Sequence, residues 1–263
     1  MGATFGRLEG KVTIPTGGWT GTINDSGAGG AAAFTVAAGT YYLKGSSGLV
    51  QAFEDALNVA ATTDTVTCSL AAGENGTGLV TTTTSGTCTI AWTSTDLRDI
   101  LGYTGTLGPG TSFVGTNQCR NLWLAKCPYN APNSIYPWKG AIVVDGRSTW
   151  TSGGDGYHLV GEYLEETWLE WRYIGRARAS QANETTTGES FERFLRDAVW
   201  GFAAWGTPGG NIRFFPDAAA VNYVEYSVDM PEAFRPELAQ EGWVSGLWRC
   251  RFDRLVAQSS GSI

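Results

Sequence analysis

Residues Thr63–Trp92 read TDTVTCSLAAGENGTGLVTTTTSGTCTIAW, and their alternation decides the fold class. Small polar residues alternate with β-branched and apolar ones on either side of Asn75-Gly76 and again across Ser85-Gly86. Period-two patterning with Asn-Gly and Ser-Gly punctuation predicts a meander of half-buried strands. Cys68 and Cys88 fall in the two Thr-rich segments, where they could face each other across hairpin arms or stay as buried free thiols. The five cysteines form no C-x-x-C pair and are odd in number, which points away from a disulfide framework.

The next stretch, Trp92–Phe113, reads WTSTDLRDILGYTGTLGPGTSF. Thr93 or Ser94 can cap a short helix near 95–101, Asp96 and Asp99 lie in its first turns, and Gly102 stops it. Ile100, Leu101 and Tyr103 then form an apolar plug at the open end of the first-half strands. Upstream, KVTIP at Lys11–Pro15 reads as a strand, as do the segments around Phe34–Val36 and Tyr41–Leu43. A helix near 48–60 follows, with Ser47 able to cap it and Leu49, Phe53, Ala56 and Leu57 on one stripe. Gln51, Glu54 and Asp55 face the other way.

From Gly105 to Trp138 the chain is rich in Gly, Pro and Asn, with Leu122, Trp123 and Leu124 as its apolar cluster. A domain boundary is placed near residue 135. The N-terminal domain, 1–135, then carries the two helices above, and the C-terminal domain, 136–263, is β-rich with a helix near 188–203. Thr186 and Glu189 form a capping-box pair before SFERFLRDAVWGFAAWG. ETWLEWRYIGRARA alternates as a strand, and in EGWVSGLWRCRFDRLV Val244, Trp248, Cys250 and Phe252 alternate with Arg249, Arg251 and Asp253. The fold class expected is mainly β (α+β): antiparallel β-sandwich or barrel domains, each with one packed helix.

Composition bounds the chemistry. Charged residues are 16% of 263, against about 25% in a typical soluble domain. The net charge is −7 with four lysines, so a surface that captures nucleic acid through counterion release is disfavoured. The same acidity suits a wall along which DNA slides without sticking. No apolar run reaches the roughly 18 residues of a membrane span. The start, MGATFGRLEGKVTIP, has no apolar core of a signal peptide and has Gly6 where a myristoylation signal needs Ser or Thr, so synthesis in the cytosol is expected.

His158 is the single histidine, which leaves one conceivable Ser-His-Asp or Cys-His arrangement and no His-rich metal site. The Gly-rich segments GAGGAAA and GTLGPGT precede no helix start and read as turns, so no phosphate loop and no cofactor are expected. Glu162, Glu165, Glu166 and Glu170 lie beside Trp168 and Trp171, a combination that a glycan-active enzyme could use. The other reading of 12% aromatics is burial in an assembly, with Trp123, Trp168, Trp171 and Trp248 as contact residues beside the plug.

GLVQAFEDALN, TCTIAWTSTDLRDILGYTG and the Trp-containing loop after them resemble the first half of virion proteins of tailed bacteriophages. SFERFLRDAVWGFAAWGTPGGNIRFFPDA, VEYSV and FRPELAQEGWVSGLWRCRFD resemble tail tube and distal tail (tail hub) proteins. The resemblance implies a subunit of a homo-oligomeric ring, commonly a hexamer, around the genome-ejection channel of a virion tail made in the bacterial host cytoplasm. It implies other tail proteins as partners, DNA that passes without specific binding, no membrane, and no catalytic or metal-binding residues. Edge strands and the Gly-rich segments Ser26–Ala33 and Gly105–Asn117 would then act as assembly arms. A capsid decoration protein, a host-binding fibre domain and a glycan-active enzyme remain the alternatives.

Overall fold

The computed structural model describes residues 5–26, 29–71, 78–126, 140–150, 156–175, 194, 212–215, 224–227, 237–240, 245–252 and 254–258. Side-chain surroundings are described for 9–26, 29–70, 78–121, Phe194, Ile212 and Arg213. These residues form mostly β structure with few helices, and every strand pair is antiparallel. None of the described sheets closes into a barrel.

In chain order the strands before residue 135 are β1 (Phe5–Gly10), β2 (Val12–Ile14), β3 (Trp19–Asn24), β4 (Ala32–Val36), β5 (Gly39–Tyr41), β6 (Val66–Ala71), β7 (Leu79–Trp92), β8 (Leu107–Val114) and β9 (Leu122–Lys126). Helix α1 (Leu49–Ala60) precedes β6, and α2 (Thr95–Ile100) follows β7. The later strands are β10 (Gly140–Trp150), β11 (Gly156–Gly175), β12 (Ile212–Phe215), β13 (Val224–Ser227), β14 (Glu237–Gln240), β15 (Ser245–Phe252) and β16 (Arg254–Gln258).

The meander of Thr63–Trp92 is two strands, and the second is longer than its punctuation suggests. β7 runs unbroken for 14 residues through Ser85-Gly86, which is therefore no turn. Gly86 serves close approach instead: a Cβ there would overlap the Asp64 carboxylate and the Ser26 hydroxyl. β6 pairs with Leu79–Thr84 and β3 with Thr89–Trp92, so the two follow one another along one edge of β7. β8 takes the opposite edge. This register also separates the two cysteines: Cys68 is opposite Thr82, whereas Cys88 is opposite Gly110. Cys88 is six residue steps along β7 from Thr82, about 20 Å along a strand, so the thiols do not face each other, and both are free.

Helix α1 covers β4 and β6. Leu49, Val50, Phe53 and Leu57 are its buried face, close to the stripe expected. Its first turn is not capped by Ser47. The N-cap is Gly48, and the first amides donate to the carbonyls of the preceding segment, Leu49 N to Tyr42 O at 2.6 Å and Val50 N to Leu43 O at 3.1 Å. Backbone acceptors thus satisfy the amides of the first two helical residues, which have no partner within the helix. Glu54 differs from expectation too, since its Oε2 accepts from Cys68 N at 2.6 Å and ties helix to strand. Beneath α1, Phe34 meets Phe53 edge-on at 5.7 Å, Phe53 stacks on Trp92 at 5.5 Å, and Trp92 on Tyr103 at 5.6 Å. The core is built on this aromatic ladder.

A second sheet has the order β16-β13-β12-β1-β9 and joins strands from both sides of residue 135. Its β9 is the apolar cluster of Leu122–Leu124. β1 and β3 have no clear sequence signal: FGRLEG and WTGTIN are short and glycine-interrupted, and pairing partners supply their order. A third sheet, β10-β11-β15-β14, contains the alternating segment that starts at Glu166, up to Gly175. β2 and β5 form a small two-stranded sheet. The helix expected near 188–203 falls outside the described residues except at Phe194, which is helical and buried.

Candidate functional site

The plug begins where α2 ends. Leu97 and Ile100 are its buried residues, and Leu101 and Tyr103 follow them into the core. Gly102, at φ 82°, reverses the chain. Tyr103 N donates to Arg98 O at 3.0 Å and Gly102 N to Asp99 O at 3.2 Å, the paired bonds of a Schellman motif. The cap residue Ser94 makes no side-chain bond into the helix; its Oγ accepts from Thr20 N at 2.9 Å and anchors α2 to β3.

A strap then closes over the plug. Gly115 N donates to Val80 O at 2.7 Å, Asn117 N to Gly102 O at 2.9 Å, Cys119 N to Gly78 O at 2.9 Å and Arg120 N to Ile100 O at 2.9 Å. At Gly102 a Cβ would overlap the Asn117 carbonyl oxygen, so the strap approaches as closely as glycine allows.

Under the plug, Tyr103 Oη donates to Val80 O at 3.3 Å, which leaves it to accept from Thr82 Oγ1 at 2.9 Å. Thr82 in turn lies 3.3 Å from Cys68 Sγ, so one direction of donation, Cys68 to Thr82 to Tyr103 to Val80, satisfies every group. Burial pushes the Cys68 thiol up to about 12 and raises the Tyr103 phenol as well. Neither group ionises near neutral pH, and the Cys68 thiol is a poor nucleophile.

Between plug and strap lies β8, and here the expectation of an irregular arm at Gly105–Asn117 is corrected. Leu107–Val114 pairs with β7, Thr82 opposite Phe113 and Ile90 opposite Leu107. Leu107 and Phe113 pack against the core and hold the strand, although most of its other residues are exposed. Within the described residues β8 has β7 on one side and no strand on the other, and β4 likewise pairs only with β3. Along the path β4-β3-β7-β8 both outer strands are thus unpaired on one side within the described residues, as is β6, the fifth strand of the sheet.

The carboxylates of this region act as clamps. Asp25, nearly buried, accepts from Thr62 N at 2.6 Å, Thr63 N at 2.8 Å and Asp64 N at 3.4 Å, with the Thr62 hydroxyl on its other oxygen at 3.1 Å. Asp64 answers by accepting from Ser26 N at 3.0 Å and from the Ser26 hydroxyl. The end of β3, the α1–β6 connection and the Ser85-Gly86 stretch of β7 are pinned together, with the Ser85 hydroxyl donating to Asp64 Oδ1 at 3.5 Å. Bonds from the backbone, that of Thr63 foremost, hold the Asp25 carboxyl well below the usual carboxylate range. A depressed folded pKa means that the clamp is fully in force above about pH 4, where the unfolded carboxyl is ionised, and weakens as pH falls below that. Asp25→Asn is therefore expected to be less stable than the parent at pH 7, with the gap in urea midpoint narrowing progressively as pH falls below about 4. A gap independent of pH would contradict the ionised clamp.

Glu9 is fully buried on β1; its Oε1 accepts from Lys44 N at 2.6 Å. Asn121, buried at φ 55°, donates from Nδ2 to Lys11 O at 2.7 Å, and its backbone carbonyl accepts from Gly10 N at 2.9 Å. Sequence reading passed over these groups. Asp25 alone has a signal, in the turn-forming run Asn24-Asp25-Ser26.

The expected contact tryptophans are dispersed along the chain. Trp123 on β9 is opposite Leu8, Trp168 on β11 is opposite Arg251, and Trp171 is opposite Trp248 on β15. Glu162, Glu165, Glu166 and Glu170 all belong to β11, where His158 is opposite Ser148. The side chains of all these positions lie outside the described residues. Among the described residues no three His, Cys, Asp or Glu groups gather to hold a metal ion, and no helix is long and apolar enough to cross a membrane. Set against protein-family models, curated proteins and solved structures, the chain matches none.

Proposed function

We propose that this chain is a structural subunit that assembles with copies of itself into a ring, in the manner of a bacteriophage tail tube or distal tail protein. The observation that supports the reading best is the sheet of β4, β3, β7 and β8, open at both outer edges within the described residues. Unpaired strand edges are templates for strand addition. Four successive antiparallel strands make β8 antiparallel to β4, so copies related by a small rotation meet edge to edge in the pairing sense the sheet already uses. The strands around α1 and the plug would form a sandwich in such a subunit. Asp25, Asp64 and Glu54 are engaged in holding segments together, and the Cys68 thiol is silenced by burial, which suits a scaffold.

The reading is tested by the association state of the purified protein, with the edges identified by cysteine capture. Ser112 on β8 and Thr35 on β4 are exposed. The double variant Ser112→Cys, Thr35→Cys should cross-link into a ladder of oligomers under mild oxidation, and neither single variant should. Dimers from Ser112→Cys alone would replace the ring by a two-fold pair.

A further inference from the structure

We propose that Arg213 is a latch that docks the chain beyond residue 211 onto the N-terminal body, through the ring of Tyr42. The guanidinium carbon of Arg213 lies 3.7 Å from the Tyr42 ring centroid, and Lys11 Nζ approaches the same ring at 5.7 Å. Arg213 is directly opposite Glu9 in the β1–β12 register, and Ile212 beside it is fully buried. Glu9 in turn holds Lys44 N, and the adjoining carbonyls of Tyr42 and Leu43 receive the first amides of α1. One cluster therefore connects β12, β1 and the start of α1. A cation over a desolvated aromatic face is among the stronger side-chain contacts, and arginine adds planar stacking that lysine lacks.

The sheet that contains β1 and β9 draws its other strands from beyond residue 211, and through Arg213 it is joined to the core at Tyr42. Losing the latch should loosen that sheet while the aromatic core under α1 stays ordered, because β7 and α1 have their own packing. This coupling holds whether or not the chain forms rings.

Amide hydrogen exchange on the full chain tests the latch. In Arg213→Ala the amides of β1 are expected to exchange about ten-fold faster than in the parent, with those of β7 unchanged, and Arg213→Lys should fall between. If Arg213→Ala yields no soluble protein, Tyr42→Leu, which removes the ring from the other side, reads the same contrast between β1 and β7. Equal behaviour of the two strands in the soluble variant, whether both unchanged or both accelerated, overturns the latch.

Discussion

Leu101→Asp is expected to leave no soluble, folded protein. Leu101 is fully buried between Ile100 and Tyr103, under a strap bonded to Ile100 and Gly102 on either side of it. An aspartate there would bury an ionised carboxylate with no cation among the core residues of the plug, or take up a proton and still lack apolar contacts. The cost expected exceeds about 4 kcal/mol, a large part of the 5–15 kcal/mol that holds a typical domain together. Leu101→Met, which conserves volume, is the control and should cost less than about 1.5 kcal/mol. The measurement is the soluble fraction together with the near-ultraviolet circular dichroism of the aromatic ladder. A soluble Leu101→Asp with an unchanged aromatic spectrum would show that the plug does not close the core.

Gly102→Ala should be nearly as damaging, for a different reason. Its φ of 82° disfavours any side chain, by roughly 1–2 kcal/mol. The added methyl would also overlap a backbone carbonyl, that of Asn117, which cannot swing aside as a flexible side chain would. The strap must lift, and its bonds to Gly102 and Ile100 go with it. A loss of about 3 kcal/mol or more in urea unfolding is expected. A loss under about 1 kcal/mol would mean that the strap is not held at Gly102.

The plug shows why part of this structure is legible in the sequence. Gly102 after an apolar pair is a local signal, and local rules of capping and chirality act on it directly. The stripe of α1 and the alternation of β7 are local in the same sense. What escapes is decided by segments remote along the chain. Gly86 and Gly48 look like turn and linker residues, yet each marks a close approach, of Asp64 and Ser26 in one case and of the Leu43–Lys44 backbone in the other. β8 looks like a loop because glycine and proline dominate it, and it becomes a strand because a long edge of β7 is there to pair with. Glu9, Asn121 and Arg213 are ordinary polar residues until β1, β9 and β12 are brought together. A hydrophobic pattern predicts which faces are buried, but it does not say which carbonyl will meet a given amide.

The distinction matters for function. The edges of β4 and β8, open within the described residues, belong to the order of strands, which no single segment encodes, and the assembly reading depends on them. The most direct measurement is the mass of the purified protein by light scattering across a wide concentration range, with negative-stain images of the same samples. A mass at a fixed multiple of the 28.0 kDa chain, and rings with a central hole, is the result predicted. A monomer at every concentration, with no cross-linking between positions 35 and 112, is the result that would contradict it.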